Sequence, residues 1–229
     1  ISASAANDIL GETHVVIGRL EEDVRADSLT LASNNITKHG FYYGRPAIQR
    51  NAYAGGEGGA VYGTGNITVN NGYIGYVYNA DGTDDTETTV IDERYEENIT
   101  DYSWKDDDGN FIPNTNLYDS GCVFGGGYVD NSSVDYTHVS MYGGHIRNAL
   151  SGGGEIAAIG RGEIQASAAN SSARPLKGIY KAGKTNVEMF GGHVHRDVFG
   201  GGRGYNNLGR TGTLYSDGFV FGQTEVHIH

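Results

Sequence analysis

One window of this chain occurs twice, and that duplication limits the fold more than any other feature. Thr185 to Gly202 reads Thr-Asn-Val-Glu-Met-Phe-Gly-Gly-His-Val-His-Arg-Asp-Val-Phe-Gly-Gly-Gly, and Thr137 to Gly154 matches it without a gap. The Thr, Val, Met, Gly-Gly, His and Gly-Gly-Gly positions are identical. Most others exchange like for like, as in Tyr142 for Phe190, Ile146 for Val194 and Leu150 for Val198. Self-similarity on this scale marks a repeat architecture, in which one small unit stacks on copies of itself. Weaker copies run from Asn66 to Ile74, from Thr224 to Ile228 and from Thr13 to Gly18.

The repeats read as strands, because apolar residues alternate with variable polar ones: Val139 with Met141, Val187 with Met189, Val226 with Ile228. A second motif is an aliphatic residue, an aromatic and a glycine: Val61-Tyr62-Gly63, Val123-Phe124-Gly125, Val198-Phe199-Gly200 and Val220-Phe221-Gly222. The aliphatic position is expected inside. The aromatic one, which becomes Ser151 in one copy, is expected on a partly exposed face. With 37 Gly and 3 Pro, glycine is structural punctuation, expected at sharp turns and at positive φ.

Ile67, Val139, Val187 and Val226 are equivalent but unequally spaced, which suits a solenoid whose corner loops vary in length. The expected fold is therefore all-β, an irregular right-handed parallel β-helix with loop insertions. A β-propeller needs near-equal blades, and a β-sandwich explains the ungapped glycine echo less well. Residues 1–50 are expected to be a cap or atypical first coils, and 51–229 the repeats. Insertions are expected at 81–118 and 163–184. The first holds, between Asp81 and Asp108, twelve carboxylates against Arg94 and Lys105, and so most of the net charge of −12. There Trp104 and Phe111 flank an Asp108-Gly109 turn that predicts a hairpin. The second is rich in Ser, Ala and Lys.

Several function classes drop out. The negative charge argues against nucleic acid and anionic membranes, and no apolar run is long enough to insert in a bilayer. Ile1-Ser2-Ala3 lacks the regions of an uncleaved signal peptide, so a processed chain is expected. The single Cys122 lies in an apolar run and reads as a buried side chain.

For chemistry, His193 with His195 and His227 with His229 are same-face pairs at a chelating spacing, although outward histidines facing water are the simpler reading. His227 aligns with Glu188 and not with His193. Asn79 to Asp84 and Asp106 to Asn110 offer oxygen ligands for Ca²⁺ without EF-hand spacing. Glu188, Arg196 and Asp197 are the carboxylate-rich candidates on one repeat, and an exposed ion pair accounts for them. No catalytic, cofactor or metal residue is assigned, and the chain is expected not to be an enzyme. The 16 Tyr, among them Tyr73, Tyr128, Tyr136 and Tyr142, are expected to form ladders, with glycan stacking compatible.

Val139 to Ile146 and Val187 to Gly202 resemble the Gly-rich repeat regions of large secreted or surface proteins of Bacteroidetes-type bacteria. The resemblance is one of repeat style, spans Ala54 to His229, and implies a parallel β-helix displayed outside the cell as a structural or adhesive module. Asp27-Ser28-Leu29 is similar to the short O-glycosylation signal of such bacteria. Thr224 to His229 stops in mid-repeat, so other chains or further repeats are the expected partners at that edge, in a filament or a larger surface protein. The alternative is a carbohydrate-active β-helix, either a polysaccharide lyase or a glycan-binding module. A trimeric virus or phage fibre segment is a third reading.

Overall fold

A computed structural model describes residues 8–23, 46–48, 50–75, 104–105, 111–112, 121–166, 176–204, 212–214 and 218–229. Both calcium-type acidic runs and the O-glycosylation-like triplet lie outside them. Among the described residues helix is confined to the turn at 21–23, and the protein is all-β.

The chain runs in circuits. The first circuit gives β1 (Thr13–Ile17), β2 (Ala47–Ile48) and β3 (Ala52–Tyr53). The second gives β4 (Val61–Val69) and β5 (Tyr73–Ile74), a side pair β6 (Trp104–Lys105) and β7 (Phe111–Ile112), and then β8 (Val123–Phe124). The third gives β9 (Val134–Met141), β10 (His145–Ile146) and β11 (Ala149–Ser151), followed by β12 (Arg161–Ala166) and β13 (Leu176–Lys181). A fourth gives β14 (Gly183–Met189), β15 (His193–Val194) and β16 (Asp197–Phe199). After β17 (Gly212–Leu214), β18 (Gly222–Ile228) opens a fifth.

Each circuit adds one strand to each of three sheets, ordered β1-β4-β9-β14-β18, β2-β5-β10-β15 and β3-β8-β11-β16. All neighbours in these sheets are parallel. The β12 strand instead pairs antiparallel with β13 and β17, and β6 pairs antiparallel with β7, the hairpin expected around Asp108-Gly109.

The register follows the sequence repeats, so like stacks over like. Val15, Ile67, Val139, Val187 and Val226 form one inward column of the first sheet. Ile17, Val69, Met141, Met189 and Ile228 form the next. Ile48, Ile74, Ile146 and Val194 supply the second sheet's column, and Ala52, Val123, Leu150 and Val198 the third's. These columns meet in one core, fully buried at its middle circuits.

A third column of the first sheet reads Thr13, Gly65, Thr137, Thr185 and Thr224. Its hydroxyls close the third and fourth circuits on themselves: Thr137 Oγ1 donates to the Gly152 carbonyl at 2.6 Å and Thr185 Oγ1 to the Gly200 carbonyl at 2.6 Å. Those carbonyls belong to the turn that leaves the third sheet, so the bond spans the core corner and satisfies a backbone acceptor there.

The glycines serve two distinct needs. Gly72, Gly144 and Gly192 turn the chain from first to second sheet at φ of 116°, 85° and 93°, a region closed to most side chains. The turns after the third sheet need room instead: a Cβ on Gly125 would lie 2.5 Å from the Gly152 oxygen, and one on Gly152 would lie 2.7 Å from the Gly200 oxygen.

The second sequence motif proves to be two. Val123 and Val198 belong to the third sheet, whereas Val61 and Val220 bracket Val134 and Ile159 in a separate column with its own small cluster. Their flanking aromatics differ too. The split does not follow the corner: on the third sheet Phe124 is buried and Phe199 exposed, and in the other column Phe221 is buried and Tyr62 exposed, so burial of the aromatic depends on what each circuit packs over it.

Two substitutions in one column test this packing. Met141→Ala, fully buried, is expected to cost ~2–5 kcal/mol. Ile228→Ala, where the side chain is 68% exposed, is expected to stay within about 0.5 kcal/mol in dilute protein. Urea titration of each variant measures the difference.

Candidate functional site

The outward face of the second sheet carries stacked rings. Tyr73, His145 and His193 are in register, with ring centroids 5.2 Å apart for the first pair and 5.9 Å for the second. His195 packs 4.4 Å from His193. Burial, with the neighbouring His193 and His195, holds the His145 imidazole below its usual range, which favours its neutral form. The His193/His195 pair is thus joined by His145, which pairwise spacing missed although His145 and His193 are identical positions of the duplicated window. Among the described residues no three His, Cys, Asp or Glu side chains are grouped to hold a metal ion.

A cavity of about 290 Å³ opens beside this stack, lined by Glu21, Asn71, Tyr73, Gly143, Gly144 and His145. Asn71 is fixed there: its Oδ1 accepts from the Gly72 amide at 2.9 Å and its Nδ2 donates to Glu21 Oε2 at 2.6 Å. A ring wall beside a carboxylate and an amide suits a small polar molecule with an apolar face.

On the outward side of the third sheet, four circuits meet at Glu155. Its Oε2 accepts from the Tyr53 hydroxyl and, at 3.3 Å, from Asn51 Nδ2, while Arg203 Nη1 lies 3.6 Å from Oε1. Asn51 Oδ1 in turn accepts from the Cys122 amide at 2.9 Å. Tyr53 stacks on Phe124 at 5.3 Å, with Tyr128 at 5.6 Å. The Glu155 side chain is only 14% exposed, so these groups are spent on one another and tie the circuits together.

Burial pushes the Glu155 carboxyl up, outweighing the hydrogen bonds from Tyr53 and Asn51 that pull it down. Burial first, and then the bond to Glu155, raises the Tyr53 phenol. The Cys122 thiol is pushed up to about 11, mainly by burial, which makes it a packed side chain and not a thiolate nucleophile.

The first sheet's outward face carries a polar ladder. His138 Nε2 lies 3.0 Å from Ser140 Oγ and 3.7 Å from Glu188, and His138 Nδ1 lies 3.1 Å from Asn186 Nδ2. This resembles a serine–histidine pair, but Ser140 is 3% exposed, so its hydroxyl is closed over by the sheet and not presented to a substrate.

The carboxylate candidates separate: Glu188 lies on β14 in the first sheet and Asp197 on β16 in the third. Glu188 pairs in register with His227, as expected from the repeat. His227 and His229 sit on the last strand of the first sheet and its exit, away from the second-sheet stack. His229 caps a column of rings, 4.5 Å from Phe190, which is 4.9 Å from Tyr142. The ladders are therefore mixed Tyr, Phe and His.

Glu155 gives a pH test. Its folded carboxyl titrates above its ordinary value of 4.5, so the folded state holds the extra proton between the two values. The stability it contributes is complete below the unfolded value and is lost as pH rises through the folded one. Glu155→Gln cannot lose it. Urea midpoints from about pH 4 to about pH 8 are expected to shift in the variant's favour relative to the parent as pH rises.

Comparison with protein-family models, with curated proteins and with solved structures gave no match to this chain.

Proposed function

We infer that the chain is an irregular right-handed parallel β-helix acting as a non-enzymatic structural or adhesive module, secreted or held at the cell surface as part of a filament or larger surface protein. The observation that carries this reading is the in-register stacking of circuits across three parallel sheets. A stack of this kind is a stiff rod whose corners tolerate insertions, so it displays loops at fixed spacing. The polar clusters also favour scaffolding: the Glu155 group and the His138–Ser140 pair are internally satisfied, leaving no poised nucleophile or base among them.

One observation favours glycan binding as a second reading. The Tyr73–His145 stack beside the cavity with Glu21 and Asn71 offers a stacking face and polar groups to a sugar.

Antibody labelling of intact source cells tests the first reading. Signal on unbroken cells is expected; signal only after lysis overturns the surface assignment. Incubation with acidic polysaccharides should leave them uncleaved, and chain scission would make the protein an enzyme. On a glycan array, Tyr73→Ala is expected to abolish any binding that depends on the cavity.

A further inference from the structure

The corner between the first and second sheets recurs in three circuits, and the second circuit departs from the other two. With Val69 paired to Met141 and Tyr73 to His145, Asn71 and Gly72 stand where the third circuit has Gly143 and Gly144 and the fourth has Gly191 and Gly192. A Cβ on Gly143 would lie 2.7 Å from the Asn70 oxygen, and one on Gly191 would lie 2.7 Å from the Tyr142 oxygen. The later circuits therefore turn this corner without side chains, whereas the second places an amide in it. Two flanking positions change as well: Asn70 stands in place of Tyr142 and Phe190, and Tyr73 in place of His145 and His193.

These departures gather at the cavity of about 290 Å³. Asn71 is 7% exposed, and its Nδ2 donates to Glu21 Oε2 at 2.6 Å while its Oδ1 accepts from the Gly72 amide. The amide thus holds a carboxylate of the turn at 21–23 beside the Tyr73–His145 stack, whose rings are 5.2 Å apart and 13° from parallel. Stacking alone does not require this arrangement, because the third and fourth circuits close the same corner with glycine.

The lining selects by charge. Glu21 is the carboxylate in it, and among the described residues no Lys or Arg lines the cavity. His145 does not supply a balancing cation, because burial and the neighbouring His193 and His195 favour its neutral form. An anionic ligand would therefore meet Glu21 with no opposite charge beside it. A carboxylate has lone pairs for several donors, so Glu21 can accept from a ligand ammonium while it holds Asn71. The adjoining aromatic ring attracts a cation and also takes apolar surface. The volume lies at the small end of ligand sites and suits one sugar ring.

We propose that this cavity binds an amino sugar, with Glu21 taking the ammonium group and the Tyr73 ring the apolar face of the pyranose. The proposal rests on the glycan-binding reading and deepens it by naming the class of sugar. The free amine decides the class: acetylation removes its charge, and a uronic acid reverses the charge of the ligand. A plain alkylamine would use Glu21 and leave the ring wall idle.

NMR titration of the full chain in slightly acidic buffer tests this with four probes: glucosamine, N-acetylglucosamine, glucuronate and propylamine. Glucosamine is expected to bind roughly tenfold more tightly than each of the others. Glu21→Gln keeps an oxygen for the Asn71 amide. It is expected to weaken glucosamine roughly tenfold and to leave N-acetylglucosamine unchanged. Tyr73→Ala is expected to abolish binding of both sugars. Thermal unfolding of each variant confirms that it is folded, and the probe series on the parent chain needs no variant.

Equal affinity for glucosamine and N-acetylglucosamine overturns the proposal, as does a Glu21→Gln chain that binds glucosamine like the parent. Propylamine bound as tightly as glucosamine also overturns it, making the cavity a site for amines only. Tyr73-dependent binding of another sugar without glucosamine would sink this inference and leave the glycan reading standing. If no sugar binds, both fall.

Discussion

Every other feature of the molecule depends on backbone pairing between successive circuits. Parallel strands sit ~4.8 Å apart, so each circuit must lie over the previous one at every corner. The corners are therefore more constrained than the strands. Gly125, Gly152 and Gly200 occur where any side chain would strike the backbone of the next turn or the core threonine and valine columns. The threonine clasp then fixes the corner from inside: a hydroxyl in the first sheet holds a carbonyl leaving the third. Gly65 takes the threonine position in the second circuit, and a Cβ there would lie 2.7 Å from the Gly125 oxygen. That circuit runs without the hydroxyl clasp seen in its neighbours.

Stacking also explains why part of this architecture was legible in the sequence. When like packs on like, an ungapped repeat is a register: Val139 was aligned with Val187 by identity alone and pairs with it in the sheet. The same logic placed His227 opposite Glu188. Legibility failed where the signal was short or long-range. Val61-Tyr62-Gly63 and Val123-Phe124-Gly125 look alike but occupy different corners, because three residues do not encode which turn they follow. The Glu155 cluster had no local signal at all. Asn51 and Glu155 are 104 residues apart, and they meet only because the circuits between them stack.

The outward ladders show how the same geometry handles polar and aromatic groups. On a flat parallel face each side chain sits directly over its equivalent, so rings stack and polar groups find partners one circuit away. Tyr142, Phe190 and His229 satisfy that rule with rings, and His138, Asn186 and Glu188 with polar contacts. Chemistry needs the opposite arrangement, a reactive group whose partners are withheld until substrate arrives. Ser140, closed over and hydrogen-bonded to the His138 ring, illustrates why a regular ladder is a poor place for a nucleophile.

The ladders also set a gradient of stability along the stack. An inner circuit is covered on both sides, and Val69 and Met141 are wholly buried as a result. Among the described residues β18 pairs with β14, and its column residue Ile228 is largely exposed. What holds β18 in place is pairing to β14, the Lys184–Glu225 bridge and the His229 ring on Phe190. An exposed ion pair and a single ring contact each contribute little. Strand β18 is therefore the most exposed of the described strands of the first sheet.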